Sequence, residues 1–262
     1  MRMTHARVSL ALLLMIWLCG AAWGQDCECP GGDDGVPPNP CADPECPDGW
    51  IDEGTCCCQP HTPIVIDVDG RGFFLTSLAD GVNFDINDSS YVNKVSWTQQ
   101  TSTNAWLALD RNGDGKIDIA SELFGNLTPQ PPPPPGVLRN GFLALAVFDE
   151  PANGGNGNGM IDPGDAVYSR LRLWQDFNHD GASTPDELKT LPELGIAGIS
   201  LQYTLSRHTD QYGNVFRYVG TIYHTDGSSS HDIVDVLIQV GPRIDPASDS
   251  SASSPPSAAP TP

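Results

Sequence analysis

The chain has 262 residues and carries 33 acidic against 13 basic side chains, which gives a formal net charge of −20 at pH 7. Nucleic acids and anionic membranes are bound through basic surfaces, so this charge balance excludes both as expected partners. Uncompensated acidic side chains repel each other in a compact fold. Divalent cations such as calcium relieve that repulsion, and calcium prefers carboxylate and carbonyl oxygens.

The first residues have the pattern of a secretory signal peptide. The basic residues Arg2 and Arg7 precede an apolar run over residues 8–18, and Ala22 and Gly24 provide the small residues of a cleavage site. The apolar run is well short of the ~20 residues that a membrane-spanning helix needs. We therefore predict a signal peptide over residues 1–24 and a bacterial protein secreted to the extracellular space or the cell surface.

A cysteine-rich segment over residues 25–60 follows the predicted signal peptide. Such a density of cysteines in an exported chain predicts disulfide bonds. A zinc site is the alternative, although the CxC and CCC spacings differ from the usual CxxC pairs. The Ser- and Pro-rich residues 242–262 have the composition of a disordered tail, which leaves residues 61–241 as the folded domain. The segment's cysteines, odd in number, are Cys27, Cys29, Cys41, Cys46, Cys56, Cys57 and Cys58.

Three loops rich in Asp, Asn and Gly carry the strongest chemical signal. A 12-residue calcium loop supplies oxygens from positions 1, 3, 5, 7, 9 and 12, with Gly at position 6 and a bidentate Glu at position 12. Loop C, residues 176–187, matches this motif at every fixed position, with Gly181 at position 6. An Asx-rich surface turn is the alternative. The predicted ligands of loop C are Asp176, Asn178, Asp180, the carbonyl of Ala182 and Glu187, and Thr184 stands at position 9.

Loop A, residues 110–122, follows the same pattern with one shift at its end. Ser121 occupies position 12, and Glu122 comes one residue late. A hydrated turn without a metal is the alternative. The predicted ligands of loop A are Asp110, Asn112, Asp114, the carbonyl of Lys116, Asp118 and Glu122.

Loop B, residues 149–165, departs further from the motif. Gly154 stands at position 1 and has no side chain, so Asp149 is the candidate ligand if the residues between them bulge outward. Two neutral amides and a short acid at position 12 predict a lower affinity. A metal-free Asn/Gly loop is the alternative. The predicted ligands of loop B are Asp149, Asn156, Asn158, the carbonyl of Met160, Asp162 and Asp165.

The sequence predicts an α+β fold in which short β-hairpins flank a central helical, EF-hand-like region. Asn140 is expected to cap a helix over residues 142–148, and Asp165 a second helix over residues 166–174. That second helix would separate loops B and C, so we expect loops A and B to pair through Ile117 and Ile161 at position 8. A turn at residues 79–81 predicts a hairpin. Strands are predicted at residues 64–68, 73–77, 82–86, 91–97, 106–109, 199–204, 215–223 and 233–240.

The order of the segments LALDRNGDGKIDIASELFGN, NGFLALAVFD and NGNGMIDPGDAVYSRLRLWQDFNHDGASTPDELKTLPELGIAGISL resembles a bacterial group. These are the EF-hand-like calcium-binding modules of secreted RTX-type and related proteins, and the resemblance covers about residues 63–223. No glycine-rich nonapeptide array accompanies it. The resemblance implies Ca²⁺ binding by Asp110, Asn112, Asp114, Asp118, Asp176, Asn178, Asp180 and Glu187.

These observations predict a secreted calcium-binding protein in which calcium serves folding and stability. We expect no enzymatic activity, because neither HExxH nor GxSxG occurs. One alternative is calcium-triggered self-cleavage at an Asp–Pro bond, as in some related RTX-type modules, with bonds at Asp43, Asp162 and Asp245 as candidates. The other is an extracellular adhesion or matrix scaffold with a protein or polysaccharide partner.

Overall fold

The structure is a computed structural model that describes residues 50–52, 58–134 and 137–244. The predicted signal peptide, most of the cysteine-rich segment with its predicted disulfides, and the tail from residue 245 onward lie outside the described residues. Within the described ranges, no helix has both the length and the apolar character to cross a lipid bilayer.

The described chain is almost entirely β-structure. Its helical elements are one short helix, α1 (Gly141–Ala146), and single 3-10 turns at Ala120–Glu122, Pro151–Asn153 and Pro192–Leu194. The predicted α+β fold with a central helical region is therefore wrong. The strands are β1 (Trp50–Asp52), β2 (Cys58–Pro60), β3 (Ile64–Ile66), β4 (Val82–Phe84), β5 (Val92–Val95), β6 (Ala105–Ala108), β7 (Met160–Ile161), β8 (Arg172–Trp174), β9 (Leu188–Lys189), β10 (Ile196–Thr209), β11 (Val215–His224), β12 (Ser229–Leu237) and β13 (Val240–Ile244).

One curled sheet of eight strands organises the domain. Its strand order is β7-β10-β11-β12-β3-β6-β8-β9, and every neighbouring pair is antiparallel. A three-stranded sheet, β13-β5-β4, and the pair β1-β2 complete the described strands. The chain centre therefore contributes β3, β6 and β8 to the same sheet as the C-terminal strands.

The central strands are buried on both faces. Ile64 and Ile66 belong to one hydrophobic cluster with helix α1, whereas Val65 belongs to a second cluster with strands β4 and β5. Alternate side chains of a strand point to opposite faces, so the sheet separates two cores. This explains the continuous apolar runs of β3 and β6, which are fully buried.

The predicted helix over residues 166–174 is wrong. Residues after Asp165 form turns, and strand β8 then pairs with β6 through Leu173 and Leu107. In this stretch Leu171, Leu173 and Trp174 are fully buried, and the alternation RLRLW favours a strand once a neighbouring strand is available. Tertiary pairing therefore overrides the local helical pattern.

The predicted first helix is confirmed in shortened form. The Asn140 side chain accepts a hydrogen bond from the Leu143 N–H at 2.9 Å, which is an N-cap, and α1 ends at Ala146. The predicted hairpin at residues 79–81 is wrong, because β4 pairs with β5, and Leu75 forms only an isolated bridge to Thr98.

A buried carboxylate joins helix α1 to the large sheet. Asp235 on β12 is fully buried, and its Oδ2 accepts a hydrogen bond from the Gly141 N–H at 2.6 Å. Burial raises the pKa of Asp235 to about 7, against the opposing effects of that N–H and of the Arg217 charge. Arg217 on β11 is also fully buried.

This pKa predicts that Asp235 contributes stability to the metal-free domain that is lost as pH rises. His61, whose pKa is lowered to about 4 by burial, makes a contribution of the opposite sign over part of this range. The folded protein binds a proton on Asp235 more tightly than the unfolded chain does, so stability is fully present below pH 4 and falls between pH 3.8 and about 7. The expected fall is on the order of a few kcal/mol. Urea unfolding in EDTA at a series of pH values across this range measures the free energy of unfolding.

The matched variant is Asp235→Asn, which keeps an acceptor for Gly141 but cannot titrate. Its stability should vary less with pH, because the Asn side chain stays neutral over the range in which Asp235 ionises. An unchanged slope in this variant would show that other groups cause the pH dependence.

Candidate metal loops

The three predicted loops share one hydrogen-bond pattern at their start. The carboxylate at position 1 of loops A and C, and that of Asp149 in loop B, accepts a hydrogen bond from the backbone N–H of the glycine at position 6. Each of these glycines has a φ between +72° and +83°, which is the left-handed region that favours glycine. The pairs are Gly115 with Asp110 at 3.0 Å, Gly159 with Asp149 at 2.8 Å, and Gly181 with Asp176 at 3.0 Å.

The middle of each loop repeats a second pattern. The side chain at position 3 accepts from the N–H of position 5, and the side chain at position 5 accepts from the N–H of position 7. Such contacts turn alternate oxygens toward the inside of the loop, as a calcium loop requires. The acceptors and donors are Asn112 with Asp114, Asp114 with Lys116, Asn156 with Asn158, Asn158 with Met160, Asn178 with Asp180, and Asp180 with Ala182, at 2.8 to 3.1 Å.

A buried acid closes each loop by accepting the N–H of position 9. Glu122 closes loop A, in which Ser121 occupied position 12, so the one-residue delay is absorbed at the loop exit. All three closing acids are at most 5% exposed. The contacts join Glu122 to Asp118 at 3.2 Å, Asp165 to Asp162 at 2.8 Å, and Glu187 to Thr184 at 3.0 Å.

Loop B uses Asp149 in place of the missing side chain at position 1. The Asp149 carboxylate accepts from the N–H groups of Gly157, Asn158 and Gly159 at 2.8 to 3.1 Å. The intervening residues bulge outward through the 3-10 turn Pro151–Asn153. Gly155 lies so close to the Asp149 backbone that a Cβ there would be 2.1 Å from its carbonyl carbon.

None of the three loops lies between two helices as an EF-hand loop does, since loop B follows helix α1 but contains strand β7. Loop A follows strand β6, and loop C connects β8 to β9. The helix–loop–helix arrangement implied by the resemblance is therefore wrong, and the EF-hand assignment is withdrawn. Loops A and C instead begin just after the ends of strands β6 and β8.

Loop A pairs with loop C, and not with loop B as predicted. The Ile117 N–H donates to Ser183 Oγ at 2.7 Å, and both residues occupy position 8 of their loops. Strands β6 and β8 are antiparallel neighbours in the sheet, so loop A leaves one end of this pair after Ala108 and loop C leaves the other end after Trp174. Ile161 of loop B pairs instead with Ile199 of β10.

Two acids of loop A have raised pKa values. Burial is the largest cause at both Asp118 and Glu122, and the nearby charges of Asp114 on Asp118, and of Asp118 on Glu122, add to it. A cation placed among these oxygens would reverse the like-charge contribution.

The described side chains do not form a ready-made carboxylate cage. Among the described residues, no three His, Cys, Asp or Glu side chains are grouped closely enough to hold a metal ion. A calcium loop also draws on Asn side chains and backbone carbonyls, which are present at positions 3, 5 and 7. The donor chemistry fits calcium, and the loop acids would have to converge further on binding.

Sequence reasoning missed the contact between loop C and the core. The indole Nε1–H of the fully buried Trp97 donates to Asp176 Oδ2 at 3.0 Å. Trp97 packs against Trp106, with ring centroids 4.6 Å apart, and against Trp174 at 5.4 Å. Nothing in the spacing of the loop indicates this contact, because Trp97 precedes Asp176 by 79 residues.

His179 in loop C is also more constrained than its exposed, non-ligand position predicted. Its Nδ1 lies 2.8 Å from the Thr98 carbonyl oxygen, and its Nε2 lies 2.7 Å from the Asp80 carbonyl oxygen. These contacts join loop C to the turn before strand β4 and to the segment after strand β5.

The comparison with protein families identifies the domain. The model of the SPM domain matches residues 64–239, which contain the large sheet and all three loops. The chain belongs to the SPM domain family. This assignment replaces the resemblance to EF-hand-like modules of RTX-type proteins.

A curated relative shares this SPM region. The chain is 33% identical over 172 residues to the iron-regulated protein FrpA of Neisseria meningitidis serogroup C. The alignment covers 65% of this chain but only 15% of FrpA, so the chain corresponds to a small part of that protein.

The candidate Asp–Pro bonds have different positions relative to the described SPM domain. Asp162 lies within loop B, where its carboxylate accepts hydrogen bonds from Asn156, Asn158 and Gly164. Asp43 and Asp245 lie outside the described residues.

Tryptophan emission should report metal binding at loop C. Asp176 accepts a hydrogen bond from Trp97, so a cation that draws on this carboxylate changes the indole environment. Adding calcium should alter the emission of the wild type, and Trp97→Phe should remove the change. Trp106→Phe is the matched control, because the Trp106 Nε1–H has no hydrogen-bond acceptor in the described structure. An equal loss of signal in both variants would contradict the assignment.

Proposed function

We propose that this SPM domain binds calcium through loops A, B and C and that the bound ions stabilise its β-fold. The observation that carries the proposal is the threefold repetition of one hydrogen-bond pattern. In each loop it joins position 1, or Asp149 in its place in loop B, to position 6, and it joins 3 to 5, 5 to 7 and 9 to the closing acid. An ordinary Asx turn needs only one of these contacts.

Charge supports a stabilising role for the cation. The chain has an excess of 20 acidic charges, and the closing acids of all three loops are buried. Carboxylates that are buried beside other carboxylates disfavour the folded state at neutral pH. A divalent ion bound to the folded state would offset this repulsion and would stabilise the fold in proportion to its occupancy.

The pairing of loops supports communication between sites A and C. The bond from Ile117 to Ser183 joins position 8 of both loops, so ordering one loop restrains the other. Loop B is attached separately to β10. We infer a coupled pair of sites and one separate, weaker site, because loop B offers neutral Asn158 where the other loops have Asp114 and Asp180.

We further propose that the domain acts outside the cell, as an ion-stabilised binding or scaffold domain without catalytic activity. Extracellular calcium modules typically bind with dissociation constants of about 10⁻⁴ to 10⁻³ M, which suits a structural ion. The signal-peptide pattern of residues 1–24 supports export.

Calorimetric titration with calcium, paired with thermal unfolding, tests the proposal. The wild type should bind up to three ions and gain melting temperature, with a smaller gain in magnesium, whose strict octahedral geometry suits these loops poorly. Asp180→Asn should weaken one site and reduce the coupling to loop A. Asp180 is exposed and does not contact Trp97, so this variant should still fold.

The control removes the same charge elsewhere. Asp226→Asn lies in the exposed turn between β11 and β12 and should bind calcium as the wild type does. Absence of heat and of any thermal shift in the wild type would refute calcium binding. An equal effect of both variants would reduce the role of loop C to general electrostatics.

A further inference from the structure

A cleft of about 350 Å³ opens between loops A and C. Its lining includes Asp110 and Gly115 of loop A and Pro185 of loop C. Leu109 and the half-buried Leu188 contribute apolar side chains to its lining. Its volume lies at the lower end of the range for sites that hold small ligands or short peptide segments.

Two arginines line this cleft. Arg172 is half-buried, and its Nη1 donates to the carbonyls of Ser169 and Leu171 at 3.0 and 2.8 Å, so its guanidinium is held in place. Arg170 is exposed. Among the described residues, neither guanidinium lies within 4.0 Å of a carboxylate oxygen. In a chain with 33 acids and 13 bases, two arginines of one cleft without a close carboxylate are available to a ligand.

Charges of both signs surround the two arginines. The exposed Glu193 interacts electrostatically with Arg172, although no oxygen of its carboxylate lies within 4.0 Å of the guanidinium. Arg111 is close enough to Arg170 for their charges to interact, and Lys189 follows Leu188 on strand β9. The carboxylate of Asp110 faces the cleft but already accepts the N–H groups of Gly113 and Gly115.

We propose that this cleft binds a peptide segment through a carboxylate group flanked by an apolar side chain. Arginine guanidinium groups bind carboxylates through two parallel hydrogen bonds. The apolar side chain next to the carboxylate would pack against Leu109 and Leu188. The net charge of the chain repels large polyanions at long range. Screening over about 8 Å at physiological salt leaves the nearby arginines to dominate inside the cleft.

Calcium should strengthen this binding, because loops A and C both contribute residues to the lining of the cleft. That part of the proposal rests on the proposed function, whereas the cleft itself does not. Ordering of Asp110 and Pro185 by ions would fix the distance between these two lining residues. The cleft would then connect ion binding to capture of an acidic partner segment.

Fluorescence anisotropy with the labelled peptide Leu-Glu-Leu-Glu-Leu tests the proposal, with Leu-Gln-Leu-Gln-Leu as the matched neutral probe. The wild type should bind the acidic peptide at least tenfold more tightly. Arg170→Gln and the double variant with Arg172→Gln should each weaken binding about tenfold or more, since each lost charge-assisted hydrogen bond contributes on this scale. Arg207→Gln, exposed on β10, should bind as the wild type does.

Two outcomes would overturn the proposal: equal binding of both peptides by the wild type, or unchanged binding by both the single and the double variant. The single variant keeps Arg172 and its backbone contacts, so it remains informative if the double variant unfolds. Repeating the titration in EDTA separates the proposals. Arginine-dependent binding that persists in EDTA supports the cleft even if calorimetry finds no calcium site.

Discussion

The hydrogen bond from the Trp97 indole to the Asp176 carboxylate connects the proposed calcium loop C to the folded core. Trp97 is packed between aromatic rings of both β4 and the large sheet, as its contacts with Phe84 at 5.1 Å and Trp106 at 4.6 Å show. Asp176 is 2% exposed and also accepts the N–H groups that shape loop C. Contacts with the core therefore fix the carboxylate that we propose as the first calcium ligand of loop C.

The pairing of strands β6 and β8 also positions loop A relative to this core. Strands β6 and β8 pair through Trp106 and Trp174, both fully buried beside Trp97. Loop C leaves β8 directly after Trp174, and loop A leaves the other end of the same strand pair after Ala108, so the pairing of these two strands sets the separation of the loops. The contact of Ile117 with Ser183 then completes a paired arrangement that resembles the position-8 contact expected from the sequence, but with a different partner.

The sequence was sufficient to locate the loops and most strands, because both signals are local. Alternate oxygens with Gly at position 6 define each loop, and continuous apolar runs define buried strands such as β3. The sequence was insufficient where a distant partner decides. The stretch around Leu171 and Leu173 has a local pattern that is compatible with a helix, but pairing with Leu107 makes it a strand. The family assignment likewise required comparison with the SPM domain, since oxygen-rich loops occur on unrelated scaffolds.

A crystal structure of the domain grown in calcium is the most direct test of the central claim that loops on a β-scaffold hold the ions. Anomalous difference maps should place an ion in loop A and another in loop C, each with oxygen neighbours at about 2.3 to 2.6 Å. Those neighbours should include Asp110 and Glu122 in loop A, and Asp176 and Glu187 in loop C. Well-ordered loops without anomalous peaks at saturating calcium would contradict the account.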